Sequence, residues 1–269
     1  MTATDKVFSG SIAAIYESHM VPLLFAPYAV EMAGRVAAHA PAAVLEVAAG
    51  TGAVTVELLR QLPTDVTMTA TDLNQGMLDV AAAKISDRRL HMRSCDALDL
   101  PFQDSSFDAV VCQFGVMFFP DKLTAYRQAH RVLRNDGSYF LSVWDTLETS
   151  PFFAVVTDAV AAAFPADPPG FFRRTPYGYN NVAAITAMLG EAGFSDVKSD
   201  KVTFPSRAPS AAHVAMALCQ GTPLRSEIEQ RAPDGLLEIT RVAERAVEKA
   251  FGKGPVETTM RAILFEAQA

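Results

Sequence analysis

The sequence predicts an α/β protein with a doubly wound, mostly parallel sheet of seven strands. Three observations lead to this fold. Between residues 42 and 144, short apolar runs alternate with stretches of helical period, an order typical of parallel strands covered by helices. The first apolar run, 42–48, ends in the small turn Gly50-Thr51-Gly52, which a helical stretch follows. Acidic residues, Asp72 and Asp96, follow the second and third runs, where the carboxyl ends of parallel strands meet.

The alternating part is interpreted in chain order. We predict strand 42–48, helix 53–62, strand 66–71, helix 74–85, strand 89–93, strand 108–113, helix 121–134 and strand 138–144. Asn135-Asp136-Gly137 is expected to end its helix with a glycine-capped turn. The strand order of such sheets reverses beside the first strand, so a ligand is expected over the carboxyl ends of the strands.

The flanking parts are less regular. Before the first strand we predict a short helix 11–20, interrupted by Pro22, and an amphipathic helix 23–40. Leu24, Val30, Ala33, Val36 and Ala37 of that second helix are expected toward the core. After residue 145 we predict helix 151–164, a Pro-rich loop within 165–180, helix 181–190, strand 197–204 and strand 256–265. Roughly 50 residues separate the last two strands, more than a hairpin needs. They predict an inserted helical cap, about 208–254, with helices 210–219 and 236–251.

Composition limits the class of partner. The chain has 269 residues, 50% of them hydrophobic and 20% charged, which suits a single domain with a cap. A net charge of −7 argues against nucleic-acid and membrane-surface partners. Its three cysteines have neither metal-binding nor disulfide-framework spacing, and no run resembles a signal peptide or a membrane span. We expect a cytoplasmic protein without a metal, a monomer or homodimer that acts on a small molecule.

The stretch from Glu46 to Gly52 has the features of a nucleotide site. Gly50 and Gly52 let the backbone adopt positive φ and let a ligand approach the bare main chain. The following helix points its free N–H groups over the turn. Asp72 lies 20 residues after Gly52, at the end of the second strand, where a carboxylate can accept both hydroxyls of a ribose.

Four motifs carry a resemblance to a known family. They are Glu46-x-Ala48-x-Gly50-x-Gly52, Asp72-x-x-x-x-Met77-Leu78, Asp96-Ala97-x-x-Leu100-Pro101-Phe102 and Ser106-Phe107-Asp108. With them, the sequence resembles the class I S-adenosylmethionine-dependent methyltransferases, in the branch of small-molecule enzymes that includes those of ubiquinone and menaquinone biosynthesis. The resemblance covers about residues 40 to 145. The family often has glycine where this chain has Ala48.

The resemblance implies an enzyme that transfers a methyl group from S-adenosylmethionine to a small, partly apolar molecule and releases S-adenosylhomocysteine. It implies that residues 41–145 bind the donor, that N-terminal helices within 1–40 close over the site, and that residues 146–269 complete the domain. The implied cofactor residues are Tyr16, Glu46, Ala48, Gly50, Gly52, Asp72, Leu73, Met77, Asp96, Ala97, Gln113 and Phe114.

Several of these residues have specific expected roles. Asp96 would accept a hydrogen bond from the adenine amino group, the N–H of Ala97 would donate to the ring, and Leu73 and Met77 would edge it. Tyr16 would lie across the donor. His19, one helical turn later, can share a face with Tyr16, and these two are the candidates for a catalytic group.

Two alternatives remain at this point. An NAD(P)-dependent oxidoreductase needs a third glycine in the turn, where this chain has Thr55, and the negative charge of Glu46 would repel a pyrophosphate but attract a cationic methionine end. A catalytically silent binding protein would have no use for acids at 46, 72 and 96.

The acceptor stays open. The aromatic segment Phe171 to Tyr179 and the inserted helices, with Arg207, His213 and Met216, can line an acceptor pocket. Two arginines in that segment, Arg173 and Arg174, suggest an anionic group on the acceptor or a solvated surface. No Asp-Pro-Pro-Tyr or Asn-Pro-Pro-Tyr follows the fourth strand, which disfavours adenine or glutamine N-methylation.

Overall fold

The computed structural model describes residues 11–269 and contains the predicted seven-stranded sheet. Its strands are β1 (Ala43–Val47), β2 (Thr67–Asp72), β3 (Leu90–Ser94), β4 (Phe107–Gln113), β5 (Leu133–Trp144), β6 (Ser195–Ala208) and β7 (Val256–Gln268). They are ordered β3-β2-β1-β4-β5-β7-β6. The pairs β1–β2, β1–β4, β2–β3 and β4–β5 are parallel. Hydrogen bonds join Asp145 to Arg261 and Ala269 to Gly137, so β7 runs antiparallel to β5.

Eleven α-helices complete the part of the chain that the structure describes. They are α1 (Ser11–Ile15), α2 (Ala26–Ala38), α3 (Ala53–Gln61), α4 (Gln75–Lys84), α5 (Lys122–Val132), α6 (Pro151–Ala163), α7 (Phe171–Arg174), α8 (Val182–Glu191), α9 (Ala211–Gln220), α10 (Leu224–Arg231) and α11 (Leu236–Phe251). A π-helical segment, Tyr16–Phe25, joins α1 to α2. Every helix among residues 11–269 is too short or too polar to cross a lipid bilayer. The first ten residues of the predicted N-terminal piece lie outside the described residues.

The chain divides into two compact units. The first unit comprises the residues up to Ala26 together with Trp144–Gly178 and Thr203–Arg261. The second unit comprises Pro27–Val143, Tyr179–Val202 and Ala262–Ala269. The predicted N-terminal piece 1–40 is thereby divided between Ala26 and Pro27.

The second unit contains the alternating strands and helices. Val44 and Leu45 of β1 are fully buried, as are Val110 and Val111 of β4, which is why these runs read as continuous apolar strands. The strand order reverses between β1 and β4. In the register of β1 on β2, Val47 lies beside Thr71, so the residues after both strands emerge at the same edge. This edge carries the glycine turn.

The first unit has an aromatic core. The Trp144 ring stacks on Tyr177 with centroids 6.1 Å apart, and Phe153 meets Tyr177 edge-on at 5.1 Å and Phe172 edge-on at 4.9 Å. Helices α9 and α11 contribute side chains with no exposure, such as Val214 and Val247. Aromatic pairs in these geometries each add about 1 kcal/mol beyond the area they bury.

The N-terminal helices differ from the prediction in two ways. Pro22 does not interrupt the helical chain, because it lies inside the π-helical segment, whose hydrogen bonds span five residues rather than four. Val30, predicted toward the core, is 51% exposed, whereas Tyr28, Ala29 and Met32 are buried. The wider π turn changes the phase at which α2 begins, and an α-helical projection from Leu24 therefore misplaces Val30.

The predicted glycine cap after α5 is also wrong. The helix ends at Val132 and β5 begins at Leu133, with no turn between them. A Cβ on Gly137 would lie 2.9 Å from Leu133 Cδ2 and 3.0 Å from the carbonyl oxygens of Asp108 and Arg134. Glycine is therefore needed here for a close approach of chains and not for a left-handed φ.

Candidate cofactor site

A carboxylate from β2 holds the glycine turn after β1. The Gly50 N–H donates to Asp72 Oδ2 over 2.8 Å, and the Asn74 N–H donates to Asp72 Oδ1 over 2.8 Å. A carboxylate has about four lone-pair positions. These two bonds leave one position on each oxygen, and the carboxylate has two weaker contacts, from Asn74 Nδ2 at 3.4 Å and from the Leu73 N–H, which a ligand hydroxyl can replace. Asp72 therefore fixes the turn and retains capacity for ligand hydroxyls.

The turn combines three left-handed residues. Ala48 has φ 57°, Gly50 has φ 57° and Gly52 has φ 81°. A Cβ on Gly52 would lie 2.7 Å from Ile85 Cδ1, the movable end of a side chain, and 3.2 Å from Ala81 Cβ, so the requirement for glycine here is mainly conformational. A Cβ on Gly50 would meet only Met77 Cε, at 3.6 Å, so its requirement is conformational.

Ala48 adopts a conformation that a side chain disfavours by about 1–2 kcal/mol. Its methyl group occupies the space beside Gly115, where an added Cβ would lie 2.5 Å from Ala48 Cβ and 2.8 Å from Cys112 Sγ. Gly115 is therefore the residue that accommodates an alanine where the family often has glycine.

We expect the substitutions at these two positions to couple. Gly115→Ala alone should destabilise the protein by about 1–3 kcal/mol through overpacking. In the Ala48→Gly background that penalty should shrink, because one of the two clashes has gone. Urea unfolding of the four proteins gives the coupling free energy. Additive effects of the two substitutions would show that the Ala48 methyl does not set the space at Gly115.

Glu46 is buried and linked to the residue that replaces the third glycine. Thr55 Oγ1 donates to Glu46 Oε2 over 2.6 Å, and both side chains are at most 2% exposed. Burial raises the pKa of Glu46 to about 8, and Asp72 adds to this, while the Thr55 hydrogen bond opposes it. Glu46 is therefore mostly uncharged near neutral pH. The prediction that its charge discriminates against a pyrophosphate is wrong for the protein without a ligand.

The raised pKa of Glu46 predicts a pH dependence of stability. The folded chain binds a proton at Glu46 up to about pH 8, whereas the unfolded chain loses it near pH 4.5. The free energy of unfolding should therefore fall as pH rises between these values, by a few kcal/mol at most. Burial also raises the pKa of Asp72, so Asp72 further lowers the free energy of unfolding as pH rises. Glu46→Gln should flatten the curve.

The comparison requires urea unfolding at pH 5.5 and pH 8.5 for the wild type, Glu46→Gln and the control Glu191→Gln. Glu191 lies in the same unit and its side chain is 61% exposed. The stability of Glu46→Gln relative to the wild type should be greater at the higher pH, and that of the control should not change. An equal slope in wild type and Glu46→Gln would contradict burial of an uncharged Glu46.

The expected adenine residues lie in the same unit, after β2 and β3. Leu73 is 49% exposed although it is large and apolar, and Met77 is buried beside Gly50. Asp96 is exposed, and its Oδ1 accepts from the Leu98 N–H over 2.9 Å, the turn-capping role that competes with adenine recognition. One such bond leaves a carboxylate most of its acceptor capacity. Ala97 is buried.

Gln113 and Phe114 lie at the end of β4. Phe114 has φ 56° and is buried, with its ring edge-on to Tyr28 at 5.4 Å. Its N–H is shared between the carbonyl and hydroxyl oxygens of Ser142, at 3.1 and 3.2 Å. The left-handed conformation of this non-glycine residue is unfavourable by itself, and these hydrogen bonds and the packing of the ring hold it in place.

Thr51 is a residue that the sequence interpretation passed over. It lies between the two glycines of the turn, its side chain is 1% exposed, and its Oγ1 has no hydrogen-bond partner among the described residues. A buried hydroxyl without a partner is costly unless a ligand or water satisfies it. Its signal in the sequence was its position inside the turn. This orphan hydroxyl, the bare backbone at Gly50 and the Asp72 acceptors fit a ligand with a sugar and a polar tail.

Tyr16 and His19 belong to the first unit, and they have different neighbours there. The Tyr16 ring stacks on Phe25 with centroids 5.2 Å apart, and the His19 ring stacks on His213 at 4.4 Å. The shared helical face was predicted from α-helical spacing, which the π-helical segment does not have.

The predicted acceptor loop 165–180 contains the short helix α7, and it is packed rather than open. Phe171, Phe172 and Tyr177 are each at most 6% exposed. Arg174 Nη2 lies 2.7 Å from the buried Glu227, and Arg173 Nη2 lies 2.9 Å from Asp158.

These ion pairs change the interpretation of Arg173 and Arg174. Both have carboxylate partners inside the first unit, so they do not indicate an anionic acceptor. Arg207 pairs with the exposed Glu257 at 2.9 Å, which makes it a surface residue.

The known proteins that this chain resembles in sequence are methyltransferases, in agreement with the features of the site. The family described as "Methyltransferase domain" matches residues 44–137. The ubiquinone/menaquinone biosynthesis C-methyltransferase UbiE of Citrifermentans bemidjiense is 28% identical over 174 residues, which cover 60% of this chain and 73% of that protein. The demethylmenaquinone methyltransferase of Deinococcus radiodurans is 41% identical over 106 residues, covering 39% of this chain and 44% of that one.

Solved structures share the fold at low identity. YcgJ of Bacillus subtilis superposes with a TM-score of 0.57 at 20% identity, covering 88% of this chain and 97% of that one. Phosphoethanolamine N-methyltransferase 2 of Haemonchus contortus, solved with S-adenosyl-L-methionine, gives a TM-score of 0.60 at 15% identity, covering 96% of this chain and 56% of that one.

A methyltransferase model that matches the strands around the glycine turn, and relatives that are methyltransferases, make this chain an S-adenosylmethionine-dependent methyltransferase. Its sheet, with the order reversal beside β1, places it in class I. The predictions of fold, enzyme class and methyl donor from the sequence are thereby confirmed.

Proposed function

We propose that the two units divide the work of methyl transfer, the second binding the donor and the first binding a small, flat, partly apolar acceptor that carries a hydroxyl group. The observation that carries this proposal is the position of the matched family. Residues 44–137 fall entirely within the second unit, whereas the first unit lies outside the match and has its own aromatic core. The parts of a fold that differ between related proteins commonly carry the residues that distinguish one substrate from another.

On the donor side, each residue has a task that its geometry permits. Asp72 would accept from the ribose hydroxyls with its remaining positions, and Gly50 and Thr51 would line the polar tail. Leu73, a large apolar residue that is 49% exposed, would lie against the adenine, with Asp96 and Ala97 at its polar edge. When bound, the donor supplies a methyl group on a positively charged sulfur. The protein contributes alignment, which can be worth several kcal/mol.

On the acceptor side, the relatives suggest the chemical class. The enzymes named above methylate carbon in quinone biosynthesis or act on demethylmenaquinone, according to their names. Reduced quinones are flat, apolar and hydroxylated, which suits a unit rich in aromatic side chains. We include Tyr16, with its half-buried ring, in this acceptor-binding unit, together with the helices α9, α10 and α11 between β6 and β7.

The remaining expectations belong to the same proposal. We propose a cytoplasmic monomer or homodimer that acts on a free small molecule and has no nucleic-acid partner. The net charge of −7 supports the last point, because the phosphate backbone of a nucleic acid repels an acidic chain.

Two measurements test the proposed function. Calorimetry should show binding of S-adenosylhomocysteine and none of NAD at the same concentration. Labelled donor should then transfer its methyl group to 1,4-naphthohydroquinone, and not to a matched amine such as 1-naphthylamine. Transfer to the amine alone, or to neither compound, would contradict the proposed acceptor class, and tighter binding of NAD would contradict the donor site.

A further inference from the structure

Two histidines in the first unit form a stacked pair. The rings of His19, in the π-helical segment, and His213, in α9, have centroids 4.4 Å apart and an interplanar angle of 21°. Both side chains are half-buried, and α9 is the helix that packs on this segment. Stacked imidazoles disfavour a positive charge on both rings at once, because like charges repel at this distance.

The neighbours of His19 determine which of its nitrogens carries the proton. Ser18 Oγ lies 2.9 Å from the Ala14 carbonyl oxygen and 2.7 Å from His19 Nδ1. A carbonyl oxygen can only accept, so the single hydroxyl proton of Ser18 points to Ala14. The reverse assignment would set two lone pairs 2.9 Å apart. His19 Nδ1 therefore donates to Ser18, and the neutral ring has its lone pair on Nε2.

The same reasoning applies to His213. Its Nε2 lies 3.3 Å from the carbonyl oxygen of His19, so Nε2 donates to that oxygen. His213 therefore fixes the backbone at His19 as well as covering its ring. Among residues 11–269, no donor is hydrogen-bonded to His19 Nε2, which is therefore the basic atom of the His19 ring, as Nδ1 is of the His213 ring.

The charges around the pair favour a neutral His19. Burial lowers the pKa of His19, and the nearby His213 lowers it further. Of the elements packed on the segment, α1 has no titratable side chain and α9 adds only the buried Cys219. In β6, Arg207 is paired with Glu257. Tyr16 and Glu17 lie on the segment itself. An orienting hydrogen bond on one nitrogen and a free lone pair on the other is the arrangement by which a histidine acts as a base.

We propose that the first unit binds the methyl acceptor through an acidic hydroxyl group, which donates its proton to Nε2 of His19. This inference rests on the proposed function and specifies its acceptor as a phenol, an enol or a hydroquinone. Ser18 and His213 are positioning residues, because they act through His19. The stacked rings of Tyr16 and Phe25, in the same segment, offer an apolar surface for the rest of the acceptor.

The step balances without a further reactant. The hydroxyl proton moves to His19 Nε2, and the electron pair left on oxygen either attacks the methyl carbon or raises the electron density of a ring carbon that does so. The pair of the sulfur–methyl bond returns to sulfur, leaving a neutral thioether. For methylation at carbon, the ring then loses its displaced hydrogen as a proton. The imidazolium returns its proton to solvent.

Nuclear magnetic resonance of the imidazole nitrogens in the full chain tests the arrangement independently of turnover. At pH 7, His19 should be neutral with its proton on Nδ1, and Ser18→Ala should turn this into a mixture of tautomers. Addition of 1-naphthol should move the Nε2 signal and leave Nδ1 nearly unchanged. A proton on Nε2 in the wild type, or no response of His19 to 1-naphthol, overturns the proposal. A response to acetate and none to 1-naphthol would indicate an anion site, which also overturns it.

Kinetics with 1,4-naphthohydroquinone give the second test. His19→Gln should lower kcat/KM by about a hundredfold or more and remove the acidic limb of its pH profile, with the affinity for S-adenosylhomocysteine unchanged within about twofold. His213→Phe keeps a stacked ring but removes the imidazole that lowers the pKa of His19. The acidic limb should therefore shift to higher pH. His91→Gln, an exposed residue of β3, is the control.

The two proposals fail differently. If the wild type transfers methyl groups and His19→Gln retains both its rate and the acidic limb, the role of His19 is wrong and the proposed function stands. If the wild type binds S-adenosylhomocysteine but transfers to no hydroxylated acceptor, the proposed function fails, and this inference fails with it.

Discussion

Asp72→Ala should weaken the binding of S-adenosylhomocysteine about a hundredfold, because two charge-assisted hydrogen bonds to the ribose would be lost, at a total of about 3 kcal/mol. The structure adds a second effect. The same carboxylate accepts from the N–H groups of Gly50 and Asn74, so its removal also loosens the turn. Calorimetry of the variant alone would mix these two causes.

A ligand with one hydroxyl removed separates them. The 2′-deoxy and 3′-deoxy analogues of S-adenosylhomocysteine should each bind the wild type about tenfold more weakly than the parent compound. Both should bind Asp72→Ala as well as the parent does. Asp99→Ala, an exposed acid of the loop after β3, is the control and should behave as the wild type. If Asp72→Ala remains sensitive to the missing hydroxyls, Asp72 holds only the turn and another residue contacts the ribose.

Glu227→Ala should destabilise the first unit by about 2–4 kcal/mol, a range below that of a fully buried pair because Arg174 is one-third exposed. One oxygen of Glu227 accepts from Arg174 at 2.7 Å, and the other accepts from the N–H groups of Gly170 and Phe171 at 2.8 and 3.2 Å. The side chain is 9% exposed. Its removal leaves two backbone donors and a guanidinium without this acceptor.

Glu229 provides a matched control two residues away on α10. It pairs with Arg225 at 2.8 Å, one helical turn earlier, and is 39% exposed, so Glu229→Ala should cost at most about 0.5 kcal/mol. Urea unfolding followed by tryptophan fluorescence reports on the first unit, which contains Trp144, the one tryptophan of the chain. Equal costs for the two variants would show that Glu227 does not secure the loop. Deletion of Phe171–Tyr179 cannot serve as a test of substrate binding, because it would remove core residues.

The strands and helices of the second unit were predictable because their apolar periods are unambiguous. β4, for example, begins one residue before its predicted start and ends at the predicted Gln113. The glycine turn and Asp72 were predictable because residue type, spacing and strand ends all agree. The binding roles of individual residues, such as Asp96 and Tyr16, remain predictions.

The errors share a physical cause, since a residue type does not reveal its partner. The aromatics and arginines at 171–177 suit an open pocket or a packed core equally well, and the distant Glu227 decides between them. The charge of Glu46 was taken from its type, whereas its burial against Thr55 determines its protonation. Helix α10 was missed because its sequence is mostly polar, with Leu224 and Ile228 as its buried apolar residues.

The Gly50 N–H, which could bind an anionic ligand, is already hydrogen-bonded to the Asp72 carboxylate. Backbone N–H groups in left-handed turns form natural concavities for anions, and here the anion belongs to the same chain. A group fixed in place in this way competes at a very high effective concentration. A ligand that presents phosphate must displace this tethered competitor, whereas a ligand that presents hydroxyl groups can join it. The turn therefore favours nucleotides that donate hydrogen bonds to Asp72 over nucleotides that would accept one from the Gly50 N–H. This selectivity does not depend on any other residue of the site.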